Sequence, residues 1–175
     1  MAISRAVDQG VGEWFDRKDE NGEKILDYGK PVRVRVHALT REEERKARNA
    51  AFGTRKTNKL NQETFIRAAD RGEAHTREAA IAALEDTDNF NVDLAGNTKA
   101  EELFGKFPRT KAKHEKALES EVCFDGQWTP EVKRAYFTMF AASKREAKVI
   151  ADLANDVGTR SADDETAATE DFSQP

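Results

Sequence analysis

The stretch "VRVRVHALT", residues 32–40, constrains the fold more than any other. Val32, Val34 and Val36 alternate strictly with Arg33, Arg35 and His37. Successive side chains of a strand point to opposite faces, so this pattern suits a half-buried strand with valines inward and cations outward. Thr40 follows as a helix N-cap, and Glu43 stands three residues later, which makes a capping box. Acidic residues fill the next turn and basic ones come after them, the order the helix dipole prefers. A sheet strand must therefore pass into a helix within a few residues, which places the chain in the α+β class.

The rest of the chain extends this reading. Ahead of the strand, "EWFD", the turn "DENG", "KILDY" and the turn "GKP" predict a small antiparallel sheet of two or three strands over residues 13–39. Asn21-Gly22 suits a tight hairpin turn because both residues tolerate positive φ. Residues 40–158 read as mainly helical. A first helix starts at Thr40 and stops near Gly53. A second helical region runs from Gln62 to about Leu84, broken at Gly72 and capped again by Thr76. Phe90, Val92 and Leu94 alternate with polar residues as a short strand or extended loop. Residues 99–119 look helical at both ends and interrupted at Gly105–Pro108, because proline does not fit a regular helix. "SEVCFDGQW" suits a short strand and turn. Thr129 then caps a final helix with Pro130 in its first position, ending near Gly158. Residues 1–12 read as a flexible arm and 159–175 as a disordered acidic tail. The expected architecture is mostly α-helical α+β: an N-terminal hairpin or sheet, then a helical bundle, in one domain over 13–158.

Composition narrows the function. Charged residues make up 35% of the chain against 38% apolar, so much of the surface must be solvated and the core thin. A formal net charge of −4 gives no general pull toward nucleic acid or anionic membranes. Cys123 is the one cysteine, so no internal disulfide can form, which fits a reducing compartment. No apolar run reaches the length of a membrane span, and the N-terminus lacks the apolar region of a secretory signal. A soluble, cytoplasmic protein is expected.

The sequence offers no catalytic constellation. His37, His75 and His114 are scattered, with no cysteine or carboxylate at metal-ligand spacing. "FGTRKT" lacks the glycine spacing of a phosphate-cradling loop, and no nucleophile elbow, zinc-protease or dinucleotide motif is present. Carboxylate pairs such as Glu101-Glu102 and Asp163-Asp164 lie in charged surroundings, where a shifted pKa is not expected. Lys106–Lys116 is basic and flanked by Phe104 and Phe107, but Glu101, Glu102, Glu115 and Glu119 dilute it, so nucleic acid is disfavoured as a partner. No catalytic residue, cofactor site or metal site is expected.

The stretch "FDGQWTPEVKRAYFTMF", residues 124–140, is aromatic-rich and reads as a packing and contact element. Trp128 precedes the cap and suits a hydrophobic staple on Val132 or the stem of Lys133. Val132, Tyr136, Met139, Phe140, Ala147, Ile150, Ala151 and Ala154 recur at spacings of three and four along one core face. Phe137 lies about 100° from Tyr136 around the helix and is expected off that face. Trp128, Tyr136, Phe137 and Phe140 are the candidate partner-binding residues, with Phe137 the exposed contact.

The order "EWFD…VRVRVHALTREEERKAR", "AALEDTDNFNVD" and "DGQWTPEVKRAYF" resembles the tail assembly chaperones, and related small tail proteins, of tailed bacteriophages. The resemblance spans about two-thirds of the chain. It implies a non-enzymatic protein of the host cytoplasm that binds the tape-measure protein, keeps it soluble and helps recruit tail-tube subunits. A structural minor tail or neck protein, carried in the virion, is the alternative. A nucleic-acid-binding regulator ranks third, no membrane is involved, and self-association is left open.

Overall fold

The computed structural model describes residues 12–52, 56–57, 63–64, 68–110, 114–140 and 144–170, with the backbone alone at 52, 56–57, 63–64, 68–70 and 161–170. All of the expected arm over 1–12 except Gly12, the stop at Gly53, most of the following polar loop, the start at Gln62 with Phe65 and Ile66, and residues 171–175 lie outside the described residues.

The fold is α+β, with five helices and small antiparallel sheets among the described residues. Its largest sheet has strand order β1-β4-β7, where β1 is Glu13–Asp16, β4 is Arg33–Val36 and β7 is Leu84–Asp88. β4 runs antiparallel to both neighbours, with Phe15 opposite Val34 and Val34 opposite Thr87. The valine alternation performs as its period requires: Val34 is 1% exposed and Val36 0%, while Arg33 stands in water. Between β1 and β4 the chain turns at Asp19–Glu23. The Asp19 carboxylate accepts from the amides of Asn21 and Glu23, and Gly22 takes φ +84°, which glycine alone adopts without strain. β2 (Leu26–Asp27) and β3 (Lys30–Pro31) pair beside it.

The capping box closes as expected. The Thr40 amide donates to Glu43 Oε2 at 2.9 Å and the Glu43 amide to Thr40 Oγ1 at 3.2 Å, which starts α1 (Arg41–Phe52). Beyond the short pair β5 (Lys56–Thr57) and β6 (Glu63–Thr64), α2 (Ala68–Ala83) packs against α1, α4 and α5. β8 (Asn91–Asp93) carries the alternation around Val92 and pairs with β9 (Glu121–Cys123). α3 is Thr98–Phe104, α4 is Pro130–Met139 and α5 is Lys144–Glu170. Thr129 caps α4, its side chain accepting from the Val132 amide.

Several expectations need correction. α2 is unbroken at Gly72; Thr76 does not cap, since its hydroxyl donates instead to the Gly72 carbonyl at 2.9 Å, one turn back. Leu84–Asp88 leaves the helix to become the third strand of the main sheet, because β4 offers it a ladder. Past α3 no second helix forms in the described part of 99–119; Arg109 bridges to Val122 and Thr110 is fully buried. The single final helix is two, α4 and α5. The disordered tail expected from residue 159 is replaced by helix as far as Glu170. Gly158 costs such a helix only about 1 kcal/mol relative to alanine. It also lies close enough to Ala38 that a Cβ there would be 3.7 Å from the alanine methyl, and Arg160 reaches Glu13 at 3.2 Å.

Candidate protein-binding groove

The aromatic stretch forms the centre of the core. Phe124 is fully buried and meets Phe90, Phe104, Phe107, Trp128 and Tyr136 at ring-centroid distances from 4.9 to 6.0 Å. Most of these contacts are edge-to-face, the arrangement that aligns ring edges with neighbouring π-faces. Trp128 is 9% exposed and its indole N–H donates to Thr87 Oγ1 at 2.8 Å. Thr87 donates in turn to Asp125, which also accepts from the amides of Asn89 and Phe90. Trp128 is thus anchored to β7, and it also packs on its own helix, against Tyr136 at 5.2 Å. Tyr136 is 5% exposed, and its hydroxyl faces Glu146 at 3.5 Å. Burial, followed by the Glu146 charge, pushes its phenol far above the ordinary tyrosine range.

Phe137 corrects the face assignment. It is 3% exposed, whereas Phe140 is only half-buried. α4 lies between the aromatic cluster and the α2–α5 side, so it buries two faces, and the residue 100° from Tyr136 meets a second wall instead of water.

That second wall is the floor of an open groove of about 610 Å³ between α2 and α5. Its floor is apolar: Leu39, Ala79, Phe137, Phe140, Ala147 and Ala151. Its rim alternates in sign, with Glu44, Glu73 and Asp152 against Arg77, Lys144 and Lys148. Lys144 pairs with Glu73, linking the two helices, and Lys148 pairs with Asp152 one turn along α5. These are exposed pairs, each worth no more than about 1 kcal/mol, so an incoming chain can displace them. Of the four candidate contacts, Phe137 and Phe140 line the groove; Trp128 and Tyr136 belong to the core.

The histidines differ from expectation in one respect. His37 lies between two carboxylates that sequence spacing hides, Glu43 at 3.4 Å and Glu85 at 3.3 Å. Partial burial works to raise the Glu43 pKa, but hydrogen bonds from Thr40 and the neighbouring His37 outweigh it and hold the carboxyl below its usual value. Burial pulls the Lys133 ammonium below the lysine range, against the smaller attraction of Glu85 and Glu43. His114 stacks on Tyr28 at 4.4 Å and His75 sits 3.4 Å from Glu44. Among the described residues no cluster of three histidine, cysteine or acidic side chains is arranged to hold a metal ion. No described helix is long and apolar enough to cross a membrane.

No family model, curated protein or solved structure matches the chain.

Proposed function

We propose that the chain is a non-enzymatic assembly chaperone of a bacteriophage tail, which binds the tape-measure protein and aids assembly of the tail tube. The observation that carries the binding reading is the α2–α5 groove, with its apolar floor and a rim of both charge signs. Apolar floors in such grooves receive the apolar stripe of an amphipathic helix. The rim's exposed ion pairs can exchange partners, so capture is reversible, as a chaperone needs. The resemblance of the sequence to tail assembly chaperones supplies the identity of that helix, a segment of the tape-measure protein.

The test is made on cells producing the virus that encodes the chain. The tagged chain should co-purify with the tape-measure protein from those cells, and mass spectrometry of finished particles should not find it. Stable incorporation into particles would support the structural tail or neck role instead. Turnover of a small molecule by the purified chain would sink the reading altogether.

A further inference from the structure

The α2–α5 groove holds two features that the fold itself does not require, and both describe an occupant. The first is a glycine. Gly72 lines the groove from inside α2 and is exposed. It takes no positive φ, and a Cβ there would have no heavy atom within 4 Å beyond the backbone of its own helix. Glycine inside a helix costs stability relative to alanine. Neither backbone conformation nor packing accounts for that cost at Gly72. The missing Cβ does leave space at the groove floor, where a large side chain from another chain can seat.

The second feature is a charge. Every acid that lines the groove has a cation. Glu73 pairs with Lys144, Asp152 with Lys148 and Glu146 with Arg17, while Glu44 lies 3.4 Å from both Arg48 and His75. Arg77 lines the same groove, and among the described residues it has neither an ion pair nor a side-chain hydrogen bond. It is the one charge of the rim left open. Its guanidinium matches a carboxylate, which it can hold through two parallel hydrogen bonds.

We propose that the occupant is an amphipathic helix that seats a leucine or larger apolar side chain over Gly72 and presents a carboxylate to Arg77. This rests on the reading of the groove as the docking site and adds the chemistry that the site selects. Gly72 and Arg77 stand about 7–8 Å apart along α2, so both contacts fall within a turn and a half of the incoming helix. An acid on its flank completes the open pair and leaves the others undisturbed. A lysine in its place faces Arg77 as a like charge.

The test uses the full chain and three labelled peptides: ELQALEQELQALEQA, and the two in which glutamine or lysine replaces every glutamate. The leucines share one face and the variable positions flank it on both sides, so either helix direction brings one flank to Arg77. The glutamate peptide should bind about threefold or more tightly than the glutamine peptide, and the lysine peptide most weakly. Arg77→Gln should erase the glutamate preference and leave the glutamine peptide's affinity unchanged. Gly72→Leu should raise Tm by about 2–4 °C through helix propensity, yet weaken every peptide at least about tenfold. A glycine with a structural role alone would not move binding. Should Gly72→Leu not fold, Gly72→Ala takes its place, with the same gain in Tm and about threefold weaker binding. Equal affinity of the glutamate and lysine peptides, a glutamate preference that survives Arg77→Gln, or unchanged affinity in the Gly72 variants would overturn the proposal and leave the groove as a docking site. No binding of any peptide, or glutamine-peptide binding that Ala151→Arg leaves intact, would remove the groove itself and the proposal with it.

Discussion

Arg17 and Glu146 meet at 2.6 Å across 129 positions of sequence and tie the end of β1 to the first turn of α5. The Arg17 side chain is 8% exposed and that of Glu146 22%. Arg17 also lies over the Phe90 ring at 5.4 Å, so the pair seals the aromatic cluster from above. Removing one partner strands the other charge in a partly dry site. Arg17→Ala should cost about 3 kcal/mol, the lower end for a broken buried pair because Glu146 keeps some solvent. The double variant Arg17→Met, Glu146→Met should recover much of that loss. Urea denaturation of the single and double variants checks both; an Arg17→Ala loss below the error of the measurement would show that the pair is not structural.

Phe137 and Phe140 should behave oppositely to what helical periodicity alone implies. Phe137 is 3% exposed at the groove floor, so Phe137→Ala should lower stability by about 3 kcal/mol. Phe140 is half-buried and keeps its contact with Tyr136 at 4.8 Å, so its truncation should cost roughly half as much. Phe140→Ala should instead weaken partner binding, since its exposed part faces the groove. Chemical denaturation and a binding assay, run on both variants, separate the two roles.

Local signals were legible wherever one residue type does one physical job. The valines of β4, the Thr40–Glu43 box and the Thr129-Pro130 start are such cases, because strand alternation and helix capping depend on near neighbours. The misreadings share another cause. β7, "LEDTD", has a polar sequence and directly follows an alanine-rich helix. It is a strand only because β4, about fifty residues earlier, has a ladder to fill. Periodicity sets Phe137 toward solvent because it locates one buried face, and α4 has two. The hydrogen bond from Trp128 to Thr87 on β7 is one that no spacing within its own helix could indicate. The groove was legible only as an excess of aromatics around residue 137. Its walls come from helices about seventy positions apart.

Asp125 should be among the most sensitive positions outside the hydrophobic core. Its carboxylate accepts from Thr87 Oγ1 at 3.1 Å and from the amides of Asn89 and Phe90 at 2.9 Å each. Asn89 sits there at φ +57°, and its side chain donates to the Asp27 and Lys30 carbonyls, so the same loop clamps the β2–β3 turn. Asp125→Ala leaves two backbone donors without acceptors and should cost about 2–4 kcal/mol. Asp125→Asn keeps one acceptor oxygen and should cost less. Thermal melts of the two variants give the order, and equal losses would contradict this account.

Alkaline pH should reveal the Tyr28 contact. Its hydroxyl donates to Glu121, and that hydrogen bond, with partial burial and the Glu121 charge behind it, pushes the phenol up to about 12 from an ordinary 10. A folded-state value above the unfolded one means the native state holds its proton longer. The contribution to stability is therefore complete below pH 10 and disappears as pH rises from about 10 to 12. Tyr28→Phe should make that part of the stability–pH profile less steep, leaving the share that Tyr136 contributes, and ultraviolet titration of the wild type should show almost no tyrosinate at pH 10.

Ala151→Arg isolates the groove from the fold. Ala151 lies on α5, half-exposed, in the apolar floor beside Ala147. An arginine there projects a long cationic side chain into the space a partner helix would occupy, while helix propensity changes by only a few tenths of a kcal/mol. The variant should keep its Tm within a few degrees and lose co-purification with the tape-measure protein. If Ala151→Arg still captures that protein, the groove is not its docking site.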